Sequence, residues 1–214
     1  INLLYNIVDR IYIGNLPENS TLALTGLGVG LPIITMITAF TNLFGMGGAP
    51  LFSIERGRGN EKEAELIMGN TFVMLLIFGV LLTLLGLIFK EPLLYLFGAS
   101  EATFPYANSY ITIYLLGSVF VMVGLGMNSF INAQGFGRIG MTTVAIGAIV
   151  NIILDPIFIF LLDMGVSGAA LATIISQFIS ALWIFNFLTG KKTILKLKPE
   201  CFKLKAKRIK RIVT

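Results

Sequence analysis

Long apolar runs separated by short polar breaks organise the chain. A helix that crosses a bilayer needs about 20 mostly apolar residues. The first run, Ile1 to Ile13, falls short of that length and ends at Gly14, ahead of an Asn15-Leu16-Pro17-Glu18-Asn19-Ser20 turn. It opens directly on an apolar residue, so it reads as the outer part of a first helix that begins upstream. The second run extends from about Leu22 to Ile54, and Pro32 is expected to kink it because proline takes an N–H out of the helical ladder. A charged loop, Glu55 to Glu65, ends it. The third covers about Leu66 to Phe89, and a loop with a short amphipathic piece follows, Lys90 to Tyr106. The fourth runs from about Ala107 to Ala133, with a turn at Gln134 to Arg138. The fifth runs from about Ile139 to Leu162, then a tight Asp163-Met164-Gly165 connection leads into the sixth, Val166 to about Leu188. The pattern predicts an all-α fold, a polytopic membrane helix bundle over residues 1–190, and a basic tail over residues 191–214.

Composition supports the same solvent. The 214 residues are 56% hydrophobic and 13% charged, with a mean hydropathy of +0.87, whereas soluble proteins carry about 25% charged residues. Six apolar spans with so little polar surface between them argue against one large soluble core. Alternating segments of about ten residues, the mark of a membrane β-barrel, do not appear.

The formal net charge of +5 does not point to nucleic acid. Ten of the sixteen Lys and Arg residues lie between Lys191 and Arg211. A basic tail beside an apolar bundle faces anionic lipid headgroups. Loops fall on alternate sides of the bilayer. Arg56, Arg58, Lys62, Arg138 and the tail share one side; Lys90 lies on the other, with Arg10 near the end of the first helix. The positive-inside rule then predicts a multi-pass protein of the plasma (inner) membrane with a cytoplasmic tail, and with the loops at Asn15, Lys90 and Asp163 outside.

Ionisable side chains within a span are candidates for function, since an Asp at the helix centre costs about 3 kcal/mol on insertion scales. Asp9 and Asp155 qualify. Asp9 lies five residues before Gly14, and Asp155 eight before Asp163. At 1.5 Å per residue both sit about 7–12 Å below the outer ends of helices that run the same way. Asn151 shares a helix face with Asp155, one turn deeper. Thr173 reaches a similar depth on the sixth span, and Tyr110 lies near the outer start of the fourth. Asn128 is about eighteen residues further down that span and belongs to the other side of the bilayer. Pro156 frees the carbonyl of Ile152 in the same neighbourhood.

These oxygen groups suit a small hard cation such as Na⁺, or a proton, and the chain offers no histidine for a transition metal. Two carboxylates close together in low dielectric do not both ionise cheaply, so one keeps a proton or takes a cation. The expectation is a water-accessible pocket in the outer half of the bilayer. Position alone leaves a second reading open. In it, Asp9 snorkels outward or pairs with Arg10, and Asp155 stitches two helices together.

Other motifs carry less. Gly26-Leu27-Gly28-Val29-Gly30 lies inside an apolar span with no strand before it, so helix packing is the expectation there, at Gly45, Gly47 and Gly48, and along Gly168-Ala169-Ala170. No Walker lysine, zinc-protease or nucleophile-elbow motif is present, and no enzyme is predicted. The single cysteine, Cys201, excludes an internal disulfide.

Asn6-Ile7-Val8-Asp9-Arg10-Ile11-Tyr12-Ile13-Gly14 resembles the first-helix motif of the multidrug and toxic compound extrusion (MATE) transporters. Asn151-Ile152-Ile153-Leu154-Asp155-Pro156 resembles their fifth-helix motif. Gly165-Val166-Ser167-Gly168-Ala169-Ala170-Leu171-Ala172-Thr173 is similar to the start of their sixth helix, and Ala133-Gln134-Gly135 with Arg138 to their fourth-to-fifth loop. The resemblance implies one six-helix lobe of a two-lobed, Na⁺- or H⁺-coupled antiporter that exports small organic cations and drugs. It also implies a missing second six-helix lobe beyond the tail, and a cation-coupling site at Asp9, Asn151, Asp155 and Thr173 with Tyr110. Two alternatives are a lipid-linked oligosaccharide flippase of the same superfamily and a non-transporting membrane scaffold. The flippase is disfavoured because only Arg10 would serve a pyrophosphate inside the bundle.

Overall fold

The computed structural model describes residues 2–16 and 19–213. Pro17 and Glu18 of the expected first turn, and the terminal Ile1 and Thr214, lie outside the described residues. The described elements are helical, without a strand among them: α1 (Asn2–Gly14), α2 (Ser20–Gly57), α3 (Glu61–Leu96), α4 (Phe104–Leu116), α5 (Ser118–Ala133), α6 (Gly137–Pro156), a π-helical segment (Ile157–Leu161), α7 (Gly165–Thr189), a 3-10 turn (Pro199–Phe202) and α8 (Ala206–Val213). Four of these stretches are long and apolar enough to span a membrane, and α4 with α5 makes a fifth, broken span. Ile77, Val80, Leu84, Leu85 and Ile88 of α3, with Ile149 and Ile153 of α6, turn outward. A soluble protein would hide such a belt; a multi-pass membrane protein turns it to lipid.

The helix α2 continues through Pro32 and Pro50. Two expectations about the spans need correction. The helix α3 does not stop at Phe89 but runs on through Pro92 to Leu96, with Lys90 Nζ donating to Thr112 Oγ1 of α4 at 2.7 Å. The fourth span is not one helix: α4 and α5 meet at Gly117 with a bend of 57°. A break inside a membrane frees carbonyls that hydrocarbon cannot satisfy. Here Thr83 of α3 supplies the donor, its Oγ1 lying 2.9 Å from Leu115 O and 2.7 Å from Ser118 Oγ.

Close helix crossings depend on small residues. A Cβ at Gly45 of α2 would lie 2.8 Å from Gly126 Cα of α5, and one at Gly168 of α7 would lie 2.7 Å from the Phe158 carbonyl. These contacts bear out glycine as a packing device at both positions. Gly28 differs, since open space surrounds its would-be Cβ.

The tail is not a free lipid-facing segment. With 38 residues, α2 is about 57 Å long against a hydrocarbon core of about 30 Å. Its end and the start of α3 carry Glu55, Glu63 and Glu65, and the tail docks there. Arg208 makes a two-pronged pair with Glu63 at 2.9 and 2.8 Å. Arg211 reaches Glu55 at 2.7 Å, and Lys198 reaches Glu65 at 2.7 Å. Two buried amides hold the backbone. Gln134 Oε1 accepts from Thr193 Oγ1, Ile194 N and Leu195 N at 2.8–3.0 Å. Asn70 Nδ2 donates to the carbonyls of Cys201 and Lys203 at 3.0 and 3.1 Å. Cys201 is buried in this seam, which pushes its thiol pKa above the ordinary value.

Substituting Gly45→Ala forces α2 and α5 apart at backbone level. The expected cost is about 1–3 kcal/mol, read as a lower unfolding midpoint of the detergent-solubilised protein. An unchanged midpoint would mean that this crossing does not limit packing.

Candidate functional site

Helix α1 packs against α6 and α7, and α4 closes the other side through Tyr110. Asp9 and Asp155 are both 0% exposed, Asn151 is 1%, Tyr110 3% and Thr173 4%. All five side chains singled out from the sequence meet in one cluster. Tyr110 OH donates to Asp9 Oδ2 at 2.8 Å. Thr173 Oγ1 donates to the same carboxylate, 3.3 Å from Oδ1 and 3.2 Å from Oδ2. Asn151 Nδ2 donates to Asp155 Oδ1 at 3.0 Å and to Thr173 Oγ1 at 3.4 Å. The Asp155 carboxyl lies beside that of Asp9.

The local structure explains the placement. Asn151 and Asp155 are one turn apart on α6, so their side chains stack on its buried face. Pro156 follows at once and cannot donate to the helical ladder. The chain then widens into the π-helical segment Ile157–Leu161, with Leu162 N bonded to Ile157 O at 2.9 Å. Gly168 lets α7 approach that segment at backbone distance, which sets Thr173 opposite Asp9. Tyr114, one turn below Tyr110, stacks on it with ring centroids 6.2 Å apart. It is buried in the same wall, and sequence reading missed it; its spacing of four from Tyr110 was the available signal.

Two acceptors in the cluster have no partner: Asn151 Oδ1 and Asp155 Oδ2. The donors are already committed. Tyr110 and Thr173 each have one hydroxyl hydrogen and Asn151 has two amide hydrogens, and each has an acceptor above. A buried polar group left unpaired costs about 1–3 kcal/mol. The cluster is therefore short of positive charge or of a proton. Its chemistry, all oxygen with two carboxyls, fits a hard monovalent cation or a proton.

One detail departs from expectation. The pocket is not water-accessible: all five side chains are sealed. A cavity of about 680 Å³ lies nearby, bounded by Leu16, Ser109, Asp163 and Ser167, and none of the five lines it. Arg10 is exposed and pairs with no described carboxylate, so Asp9 is not neutralised by its neighbour. Asn128 lies apart from the cluster, beside a small cleft with Thr143 and Gln177.

The family model described as MatE matches residues 1–157. The multidrug export protein MepA of Staphylococcus haemolyticus is 31% identical over 195 residues, spanning 91% of this chain and 43% of the relative. MepA of Staphylococcus aureus strain MRSA252 is 25% identical over 197 residues, again 43% of its length. Among solved structures, a MATE transporter in its bent conformation superposes with a TM-score of 0.92 at 27% identity, over 99% of this chain and 47% of that one. The inward-facing conformation of a multidrug resistance MATE family transporter gives 0.92 at 26% identity, over 100% and 48%. The chain thus spans less than half the length of these relatives.

Thr173→Val keeps the volume and removes the hydroxyl that bridges Asp9 and Asn151. The expected loss is about 1–3 kcal/mol of unfolding free energy, with Thr173→Ser close to the parent. Chemical unfolding in detergent measures both. Equal midpoints for Val and Ser would show that the bridge holds nothing.

Proposed function

The chain belongs to the MatE family, and on that premise we propose that it is the cation-binding lobe of a Na⁺- or H⁺-coupled antiporter that exports organic cations and drugs. Residues 1–190 form the lobe. Residues 191–214 are the cytoplasmic linker toward a second six-helix lobe, with which the transport cleft would be completed. The observation that carries this reading is the donor deficit at Asn151 Oδ1 and Asp155 Oδ2 beside a second buried acid. Thr71 Oγ1, Asn108 Oδ1 and Asn128 Oδ1 are unpaired as well; this site differs in that its deficit falls at a pair of fully buried carboxyl groups.

Asp9, Asn151, Asp155 and Thr173 would hold the coupling ion, which supplies the positive charge that two buried carboxyl groups lack. Tyr110 and Thr173 orient the Asp9 carboxylate from α4 and α7. Asn151 orients Asp155 along α6. The other three helices that contribute to the cluster, α4, α6 and α7, are thereby held together through α1, so the state of the two acids bears directly on how α1 packs. Export requires that the ion bind the two open states with different affinity, since a ligand without that difference shifts no equilibrium.

The flippase reading is weaker. A pyrophosphate needs several cations within the bundle, and among the described residues no Lys or Arg lines the cluster; Arg10 points outward. A scaffold role leaves the donor deficit without a purpose.

Asp155→Asn in the full-length protein should reduce drug resistance to that of cells lacking the transporter while membrane insertion stays normal. Undiminished resistance would sink the reading. The ion is identified by heating the purified protein in NaCl against KCl. Sodium at a hundred times its Kd stabilises by about 2.7 kcal/mol, and Asp155→Asn should erase that gain. Resistance that depends on Asp155 without any sodium shift assigns the proton.

A further inference from the structure

The inner ends of α6 and α7 enclose a cavity of about 350 Å³ that the acid cluster does not use. Ile139, Trp183 and Phe187 wall it, and Asn186, Lys191 and Lys192 stand at its rim, where α7 stops at Gly190. Phe187 is braced by an edge-on contact with Phe136, centroids 5.2 Å apart. Trp183 is 43% exposed and lies seven residues before Gly190, about 10 Å along the helix. That is the level at which indole rings settle at a membrane–water boundary. Leu182 and Phe185 beside it are exposed and apolar, a surface that suits acyl chains.

The rim differs from the rest of the tail in its electrostatics. Lys198, Arg208 and Arg211 are taken up by Glu65, Glu63 and Glu55. Lys191 and Lys192 are exposed and pair with no described carboxylate. Two adjacent ammonium groups and an amide therefore stand over an aromatic and aliphatic cleft at the depth of a headgroup. We propose that this cavity binds an anionic phospholipid. Its phosphate sits against Lys191, Lys192 and Asn186, and an acyl chain lies between Trp183 and Ile139. A zwitterionic lipid offers the same chains, but its headgroup cation is repelled by the lysine pair. Preference for the anionic lipid follows from charge, and affinity for either from the apolar walls.

Trp183 is the single tryptophan of these 214 residues and serves as the reporter. The full-length transporter, with any tryptophan outside this segment replaced by Phe, is placed in phosphatidylcholine nanodiscs. Brominated phosphatidylglycerol or brominated phosphatidylcholine is then titrated in as quencher. The brominated phosphatidylglycerol should reach half-maximal quenching at about a tenfold lower mole fraction, given the attraction each lysine exerts at a membrane surface. The double variant Lys191→Gln/Lys192→Gln should quench equally with both lipids. Lys203→Gln/Lys207→Gln, in the stretch of tail that packs on α2 and α3, should keep the preference, and millimolar inorganic phosphate should leave quenching unchanged.

Four results overturn the proposal. They are equal quenching by the two lipids in the unsubstituted protein, a preference that survives in Lys191→Gln/Lys192→Gln, a preference lost in Lys203→Gln/Lys207→Gln, and relief by phosphate. No quenching by either lipid does the same, because the cavity would then be closed to the bilayer.

Discussion

Hydrocarbon offers no hydrogen bonds, so every polar group buried in this bundle must find its partner within the bundle. Where the chain must break, it brings a donor to the break: Thr83 answers the carbonyl of Leu115 at Gly117. Where a segment must dock, a side-chain amide saturates its backbone, as Gln134 and Asn70 do for the tail. Asn151 Oδ1 and Asp155 Oδ2 are unpaired, as are Thr71 Oγ1, Asn108 Oδ1, Asn128 Oδ1 and Arg208 Nη1. The acid cluster differs from these in holding two fully buried carboxyl groups.

The cluster draws on four helices, two of them interrupted and one, α7 with Thr173, a continuous helix of 25 residues. Tyr110 sits on α4, which ends at the 57° bend. Asp155 occupies the last turn before Pro156 and the π-helical segment, and Asp9 lies on α1. The long helices α2 and α3 run uninterrupted for 38 and 36 residues and contribute none of the five side chains. A network with members on α1, α4, α6 and α7 therefore joins four helices, while α2 and α3 form a continuous frame beside it.

Charge is divided along the tail with the same economy. Its later cations return to the carboxylates at the projecting end of α2 and α3 and hold the tail down, so its basic composition does not translate into a uniformly cationic surface. Lys191 and Lys192, which follow α7, are exposed and pair with no described carboxylate. Most of these pairs are partly exposed and individually modest. The nearly buried Arg208, bound to Glu63 through two nitrogens, is the firmest anchor.

The membrane class and the identity of the five cluster residues were legible in the sequence. Both follow from one-dimensional rules: apolar length, depth at a fixed rise per residue, and helical spacing. Six spans were expected, whereas the described residues hold four unbroken helices of spanning length and a fifth, broken one. Asp9 and Asp155 announced themselves because a charge inside an apolar run is costly wherever it sits. The tertiary structure alone decided what depends on neighbours distant in the chain. The break at Gly117 packs against Thr83, thirty-four residues earlier, whose hydroxyl reaches Leu115 O, whereas Pro32, Pro50 and Pro92 were absorbed into continuous helices. Asn70 of the third span turned out to grip the tail. Depth counting placed the two acids in one layer, but whether they met, which donors each received and whether water reached them were set by how α1, α4, α6 and α7 pack around the cluster.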